Sequence, residues 1–88
     1  MYTEILVYPN PFDYFINIEM TCPEKSNFVI LLADIKGSKL TRIMGADLNK
    51  GTNRIPLIGL HSLPIGDYRL TIRSNEGELI YETILVKG

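Results

Sequence analysis

The chain has 88 residues and a formal net charge of −1, with Lys, Arg, Asp and Glu scattered along it. That length supports one domain with one core, burying about 60–65% of the unfolded surface and leaving little material for a deep catalytic cleft. The balanced charge offers no basic stripe and no block of one sign, so a nucleic-acid partner is not expected.

No apolar run approaches the ~20 residues that cross a bilayer, so no membrane span is expected. The N-terminus lacks the charged, apolar and small-residue regions of a signal peptide. If the chain is exported, its signal is expected on another part of a parent protein. Cys22 is the single cysteine, which excludes an intrachain disulfide and a thiolate metal cluster. The fold must stand on packing.

In chain order, residues 4–8 read as a short first strand. They lead into Val7-Tyr8-Pro9-Asn10-Pro11-Phe12. Two prolines around an asparagine cannot continue a helix and remove two backbone donors, so this segment reads as a stiff, extended corner. Tyr14, Ile16, Ile18 and Met20 then alternate with Phe15, Asn17 and Glu19, the period of a half-buried strand. Residues 22–27 form a polar turn containing Pro23. Residues 28–33 are unbroken apolar sequence, which suits a central strand.

Asp34-Ile35-Lys36-Gly37 places Asp first and Gly fourth in a turn. The carboxylate accepts a backbone N–H there, and glycine reaches positive φ. A return strand is predicted over 38–44 and a loop over 45–51. Residues 52–58 are the next strand, with Ile55 and Leu57 on one face. Pro56 removes a ladder donor and favours an edge position. Residues 59–66 form a corner carrying Leu60, Leu63 and Ile65. The strand over 67–73 turns Tyr68, Leu70 and Ile72 inward and Arg69, Thr71 and Arg73 outward. Asn75-Glu76-Gly77 is a hairpin turn, and a long final strand covers 78–87.

About seven short strands with frequent turn signals indicate an all-β fold, an immunoglobulin-like sandwich of two antiparallel sheets; a small barrel is the rival. Leu63-Pro64-Ile65-Gly66-Asp67-Tyr68 supports the sandwich. An apolar anchor shortly before a tyrosine that begins an inward-facing strand is the pattern of a tyrosine corner, whose hydroxyl bonds to backbone upstream. The plainer alternative is an ordinary aromatic core residue.

Side chains for chemistry are sparse. His61 is the one histidine, has no partner at metal-ligand spacing, and is expected to be exposed. Asp13, Asp34, Asp47 and Asp67 sit beside turns, where Asp is expected for its backbone bonding. No Asp-x-Asp-x-Asp run is present, and a loop-bound calcium stays an open alternative. No serine has a Gly-x-Ser-x-Gly setting, and the glycines are dispersed at turns. Cys22 has no basic neighbour nearer than Lys25 and reads as a quiet strand-end residue. No catalytic residue, no metal and no cofactor is expected.

Five segments together resemble the type A C-terminal sorting domain of the type IX (Por) secretion system. Val7-Tyr8-Pro9-Asn10-Pro11 is similar to that family's opening. Leu32-Ala33-Asp34-Ile35-Lys36-Gly37 is similar to its apolar strand ending in Asp-x-x-Gly. Gly51-Thr52-Asn53-Arg54-Ile55-Pro56-Leu57 resembles its Gly-x-Asn-x-Ile-x-Leu segment, and Leu63 to Tyr68 its Leu-x-x-Gly-x-Tyr. Thr83-Ile84-Leu85-Val86-Lys87 is similar to its terminal apolar strand with a basic tail. Glu82 and Thr83 stand where the family often has a basic residue, and Gly88 follows Lys87.

The resemblance implies a non-catalytic address domain at the end of a larger exported protein of Bacteroidetes-type bacteria. Residues 1–88 would be that single domain, a monomer directing an upstream cargo across the outer membrane. Its implied partners are the outer-membrane machinery and a sortase-like peptidase, with the cargo attached to a surface lipopolysaccharide or released. Ile84, Leu85, Val86 and Lys87 are the expected recognition element, since an exposed final strand can be captured by adding to a partner sheet. The plain alternative makes Ile84 and Val86 the inward face of that strand. Pro9, Asn10, Pro11, Asp34, Gly37, Gly51, Leu63, Gly66 and Tyr68 are the expected structural positions. A structural, adhesion or carbohydrate-binding module is the alternative function, with Tyr2, Tyr8, Phe12 and Tyr81 as a candidate aromatic platform.

Overall fold

The computed structural model describes residues 4–36 and 39–88, and Gly37 and Tyr2 therefore lie outside the described residues. Seven strands run in order: β1 (Glu4–Tyr8), β2 (Ile16–Cys22), β3 (Ser26–Asp34), β4 (Leu40–Leu48), β5 (Gly51–Leu57), β6 (Gly66–Ser74) and β7 (Leu79–Lys87). They form two antiparallel sheets, one of three strands ordered β1-β2-β5 and one of four ordered β4-β3-β6-β7. This is the expected two-sheet sandwich.

Period-two patterning explains which side chains meet between the sheets. From β2, Ile16, Ile18 and Met20 are fully buried. They face Phe28, Ile30 and Leu32 of β3 and Tyr68, Leu70 and Ile72 of β6, all buried. A one-residue slip in any of these strands would turn its apolar set to solvent, which fixes the register. Burying each such side chain contributes roughly 1.5–3 kcal/mol.

The run over 28–33 is indeed central, because β3 pairs with both β4 and β6. Pro56 sits opposite Asn17 in β5, which pairs only with β2 and so lies at a sheet edge. The Asp34 turn forms as expected, with Asp34 Oδ1 accepting the Lys36 N–H at 2.8 Å. The 75–77 turn also forms: Gly77 N–H donates to Ser74 O at 2.9 Å, and Gly77 takes φ 93°.

Two expectations are corrected. The predicted loop over 45–51 is mostly strand, since β4 continues to Leu48 with Gly45 opposite Val29 and Ala46 opposite Phe28. Polar Asp47 disguised an alternation that keeps Ala46 and Leu48 facing the core. Tyr14 precedes β2 and is 67% exposed, because the chain is still crossing from the Pro9–Pro11 corner there. In the 59–66 corner Leu60 and Leu63 supply the apolar anchors, and Ile65 is 81% exposed.

Candidate functional site

The segments that carried the resemblance converge at one end of the sandwich, with one exception. Gly51 opposes Cys22, at the far end of the β2–β5 pair from Ile16 and Leu57. There its φ of 102° is what glycine provides. Asn53 organises the same turn: its amide donates to Asn49 O at 2.8 Å and Gly51 O at 3.1 Å, while its oxygen accepts the Asn49 N–H at 3.1 Å. The Gly-x-Asn spacing thus builds the β4–β5 turn and takes no part in the terminal-strand site.

At the other end, Tyr68 is buried and its hydroxyl donates to Pro64 O at 2.6 Å. This is the tyrosine corner. The hydrogen bond ties β6 to the corner that carries half-buried Leu63. Burial, reinforced by the nearby Asp34 carboxylate, raises the Tyr68 hydroxyl above its ordinary 10.0. Asp34 is the register partner of Tyr68, and Gly66 that of Lys87.

The opening Pro9-Asn10-Pro11 leads the chain from β1, at the edge of one sheet, to β7, at the edge of the other. The Tyr8–Pro9 and Asn10–Pro11 peptides are both cis. Phe12 is buried and meets the Tyr68 ring edge-on, with centroids 6.0 Å apart.

Its backbone then pairs with the terminal strand. Phe12 N–H donates to Val86 O at 2.8 Å, and Gly88 N–H donates to Phe12 O at 2.9 Å, a parallel bridge beside Lys87. Asn10 extends the pairing through its side chain. The Val86 N–H donates to Asn10 Oδ1 at 2.9 Å, and Asn10 Nδ2 lies 3.5 Å from Ile84 O.

β7 is therefore an edge strand whose outer rim is already partnered over Ile84 O, Val86 N–H, Val86 O and Gly88 N–H. A partner strand adding along residues 84–88 would meet these groups already bonded. The two faces of β7 also differ from the plain alternative. Leu85 is 2% exposed and Lys87 6% exposed, so these are the inward pair, with Lys87 Nζ donating to Gly88 O at 3.2 Å. Ile84 and Val86 are 39% and 40% exposed and point outward.

The proposed aromatic platform has no fully exposed ring among its described residues, Tyr8 and Tyr81 being half-buried. Phe12 is in the core, Tyr81 packs against it, and Tyr8 commits its hydroxyl to Glu19 Oε2. That bond raises the Tyr8 hydroxyl above its ordinary range. It also lowers Glu19, with Arg54 at 3.2 Å assisting. His61 is exposed and lies 6.2 Å, ring to ring, from Tyr14. Among the described residues no group of His, Cys, Asp and Glu is placed to hold a metal. A recess of about 420 Å³ beside the tyrosine corner is lined by Asp34, Lys36, Lys39, Pro64, Ile65 and Tyr68 among others.

The fold and this site define a small β-sandwich in which residues 10–12 dock on the last strand, and that strand shows Leu79, Ile84 and Val86 to solvent. The family model for the secretion system C-terminal sorting domain matches residues 6–87, and the chain belongs to that family. It is a type IX secretion sorting signal, a tag recognised by that machinery, and it marks a protein for the outer-membrane surface or the extracellular space. No curated protein sequence is significantly similar to the chain.

Proposed function

We propose that this domain is the terminal address of a larger exported protein, and that the outer-membrane machinery reads it through Ile84, Leu85, Val86 and Lys87. The observation that carries the reading is the outward pair Ile84 and Val86 on an edge strand. Two neighbouring apolar side chains left half in water on the final strand cost solvation that a partner surface would recover. Leu85 and Lys87 have the complementary role: they seat the strand so that the outward pair is presented at a fixed height and spacing.

On this reading the upstream cargo passes through the periplasm before crossing the outer membrane. A sortase-like peptidase then separates cargo from domain, and the cargo is attached to a surface lipopolysaccharide or released. The domain acts as a monomer, is itself a substrate, and performs no catalysis.

The test is export of a fluorescent reporter with a signal peptide, fused ahead of residues 1–88 in a type IX-secreting bacterium. Fluorescence at the surface or in the medium that requires both the secretion system and residues 83–88 is the expected result. A reporter held in the periplasm with and without those residues would contradict it.

A further inference from the structure

The hydrogen bonds at the outer rim of β7 have an unusual source. Among the described residues the five strand pairings run between backbones of neighbouring strands, with the Thr41 hydroxyl donating to Leu32 O beside the irregularity in β3–β4. At Val86 the ladder is continued by a side chain 76 residues away in sequence, the Asn10 carboxamide. A primary amide has the same oxygen acceptor and N–H donor as a peptide unit, so it can stand in for one rung of an absent strand. The flanking Pro9 and Pro11 each fix φ near −65°, so little freedom remains in the backbone from which this amide projects. Phe12 fixes it from the other side, with its ring buried and its backbone bonded to Val86 O and Gly88 N–H.

We infer that Asn10 is a positioning residue for the terminal strand: its carboxamide closes the outer rim of β7 at Val86, so that a partner meets the side chains of Ile84 and Val86 and not an open backbone edge. The inference rests on the proposed reading of residues 84–87 as the recognised element. The address is then composite. The strand is presented only when the opening segment has docked on it, so a domain in which residues 10–12 are undocked shows the machinery the wrong surface. An edge left open at this position would add to any passing strand, and closing it removes that promiscuity.

The test combines amide hydrogen exchange of residues 1–88 with export of the reporter fusion, for wild type, Asn10→Ala and Asn10→Asp. Asn10→Asp keeps an oxygen to accept the Val86 N–H, while Asn10→Ala keeps neither partner. In Asn10→Ala the Val86 amide is expected to exchange at least about fivefold faster, the size of one lost net hydrogen bond. Leu70 and Ile72 amides, in the centre of the sandwich, serve as the control for global unfolding and are expected to slow exchange to the same degree in all three proteins. Export is expected to fall with Asn10→Ala and to be retained with Asn10→Asp.

Unchanged exchange at Val86 in Asn10→Ala would overturn the assignment of Asn10. Faster exchange at Val86 with full export would overturn the composite address while leaving residues 84–87 as the recognised element. Export that survives removal of residues 83–88 would instead overturn the reading on which the inference stands. Should Asn10→Ala unfold globally, the faster rate at Leu70 and Ile72 reports it. Asn10→Asp then decides alone, since loss of both Val86 protection and export in that variant would count against an acceptor at this position.

Discussion

Two edges of this sandwich are treated in opposite ways. On the three-stranded sheet, β5 carries Pro56, and one donor is simply missing from an edge strand. On the four-stranded sheet, β7 keeps its donors and acceptors, and Asn10 and Phe12 fill its rim from the start of the chain. Deleting a donor blunts an edge wherever the strand ends up. Filling a rim works only once residues 10–12 have docked on β7. An edge that has only to avoid partners needs the first device; an edge that must choose one is better served by the second.

The largest expected effect separates the seat of β7 from its display. Leu85→Ala removes a fully buried side chain behind the closed rim and should cost about 3 kcal/mol in denaturant unfolding. Val86→Ala, one residue away on the outward face, should cost no more than about 0.5 kcal/mol. Similar losses for the two would erase the distinction between the faces.

Next comes the hydrogen bond that ties β6 to the corner beside the terminal strand. Tyr68→Phe keeps the ring against Phe12 and removes the donor to Pro64 O, for an expected loss of about 1 kcal/mol. The same hydroxyl gives a pH signature. Its folded value lies above the unfolded 10.0, so its contribution is complete below pH 10 and is lost as pH rises through the folded value. Unfolding measured from about pH 9 to about pH 11 should decline more steeply in wild type than in Tyr68→Phe, whose ring cannot ionise.

The acid side probes the other sheet. Glu19, lowered by the Tyr8 hydroxyl and Arg54, stabilises the fold above its unfolded value of 4.5, and this is lost as pH falls through the folded value. Glu19→Gln should flatten that loss slightly, the pair being largely in solvent. The smallest effect is expected at the blunted edge. Pro56→Ala should change stability by less than about 0.5 kcal/mol, yet restore an edge donor and raise self-association in sedimentation. Equal self-association in Pro56→Ala and wild type would remove the contrast between the edges.

The same contrast explains what the sequence made legible. Pro56 announces an edge because its effect is local, and the alternation in β2, β3 and β6 announces the core because a pleat has a fixed period. Leu63 to Tyr68 also carries its meaning within six residues. Asn10 does not. Nothing between two prolines says that the side chain will meet Val86, because the partner is set by how the sheets stack and not by spacing. Lys87 misleads in the other direction: a charged residue near the tail reads as exposed, yet β7's parity turns it inward beside Leu85. Asp47 and Gly45 hid the second half of β4 in the same way, polar or flexible types on the outward side of a strand whose inward side is Met44, Ala46 and Leu48.

Removing residues 83–88 deletes Leu85 together with the outward pair, so it mixes loss of the address with loss of the fold. The most direct test of the central claim is therefore export of a reporter fused to the domain carrying Ile84→Ser with Val86→Ser. These changes alter only the displayed face of the terminal strand. Loss of export from a domain that still unfolds at the wild-type denaturant midpoint is the predicted result, and wild-type export of that double variant would contradict recognition through the outward face of β7.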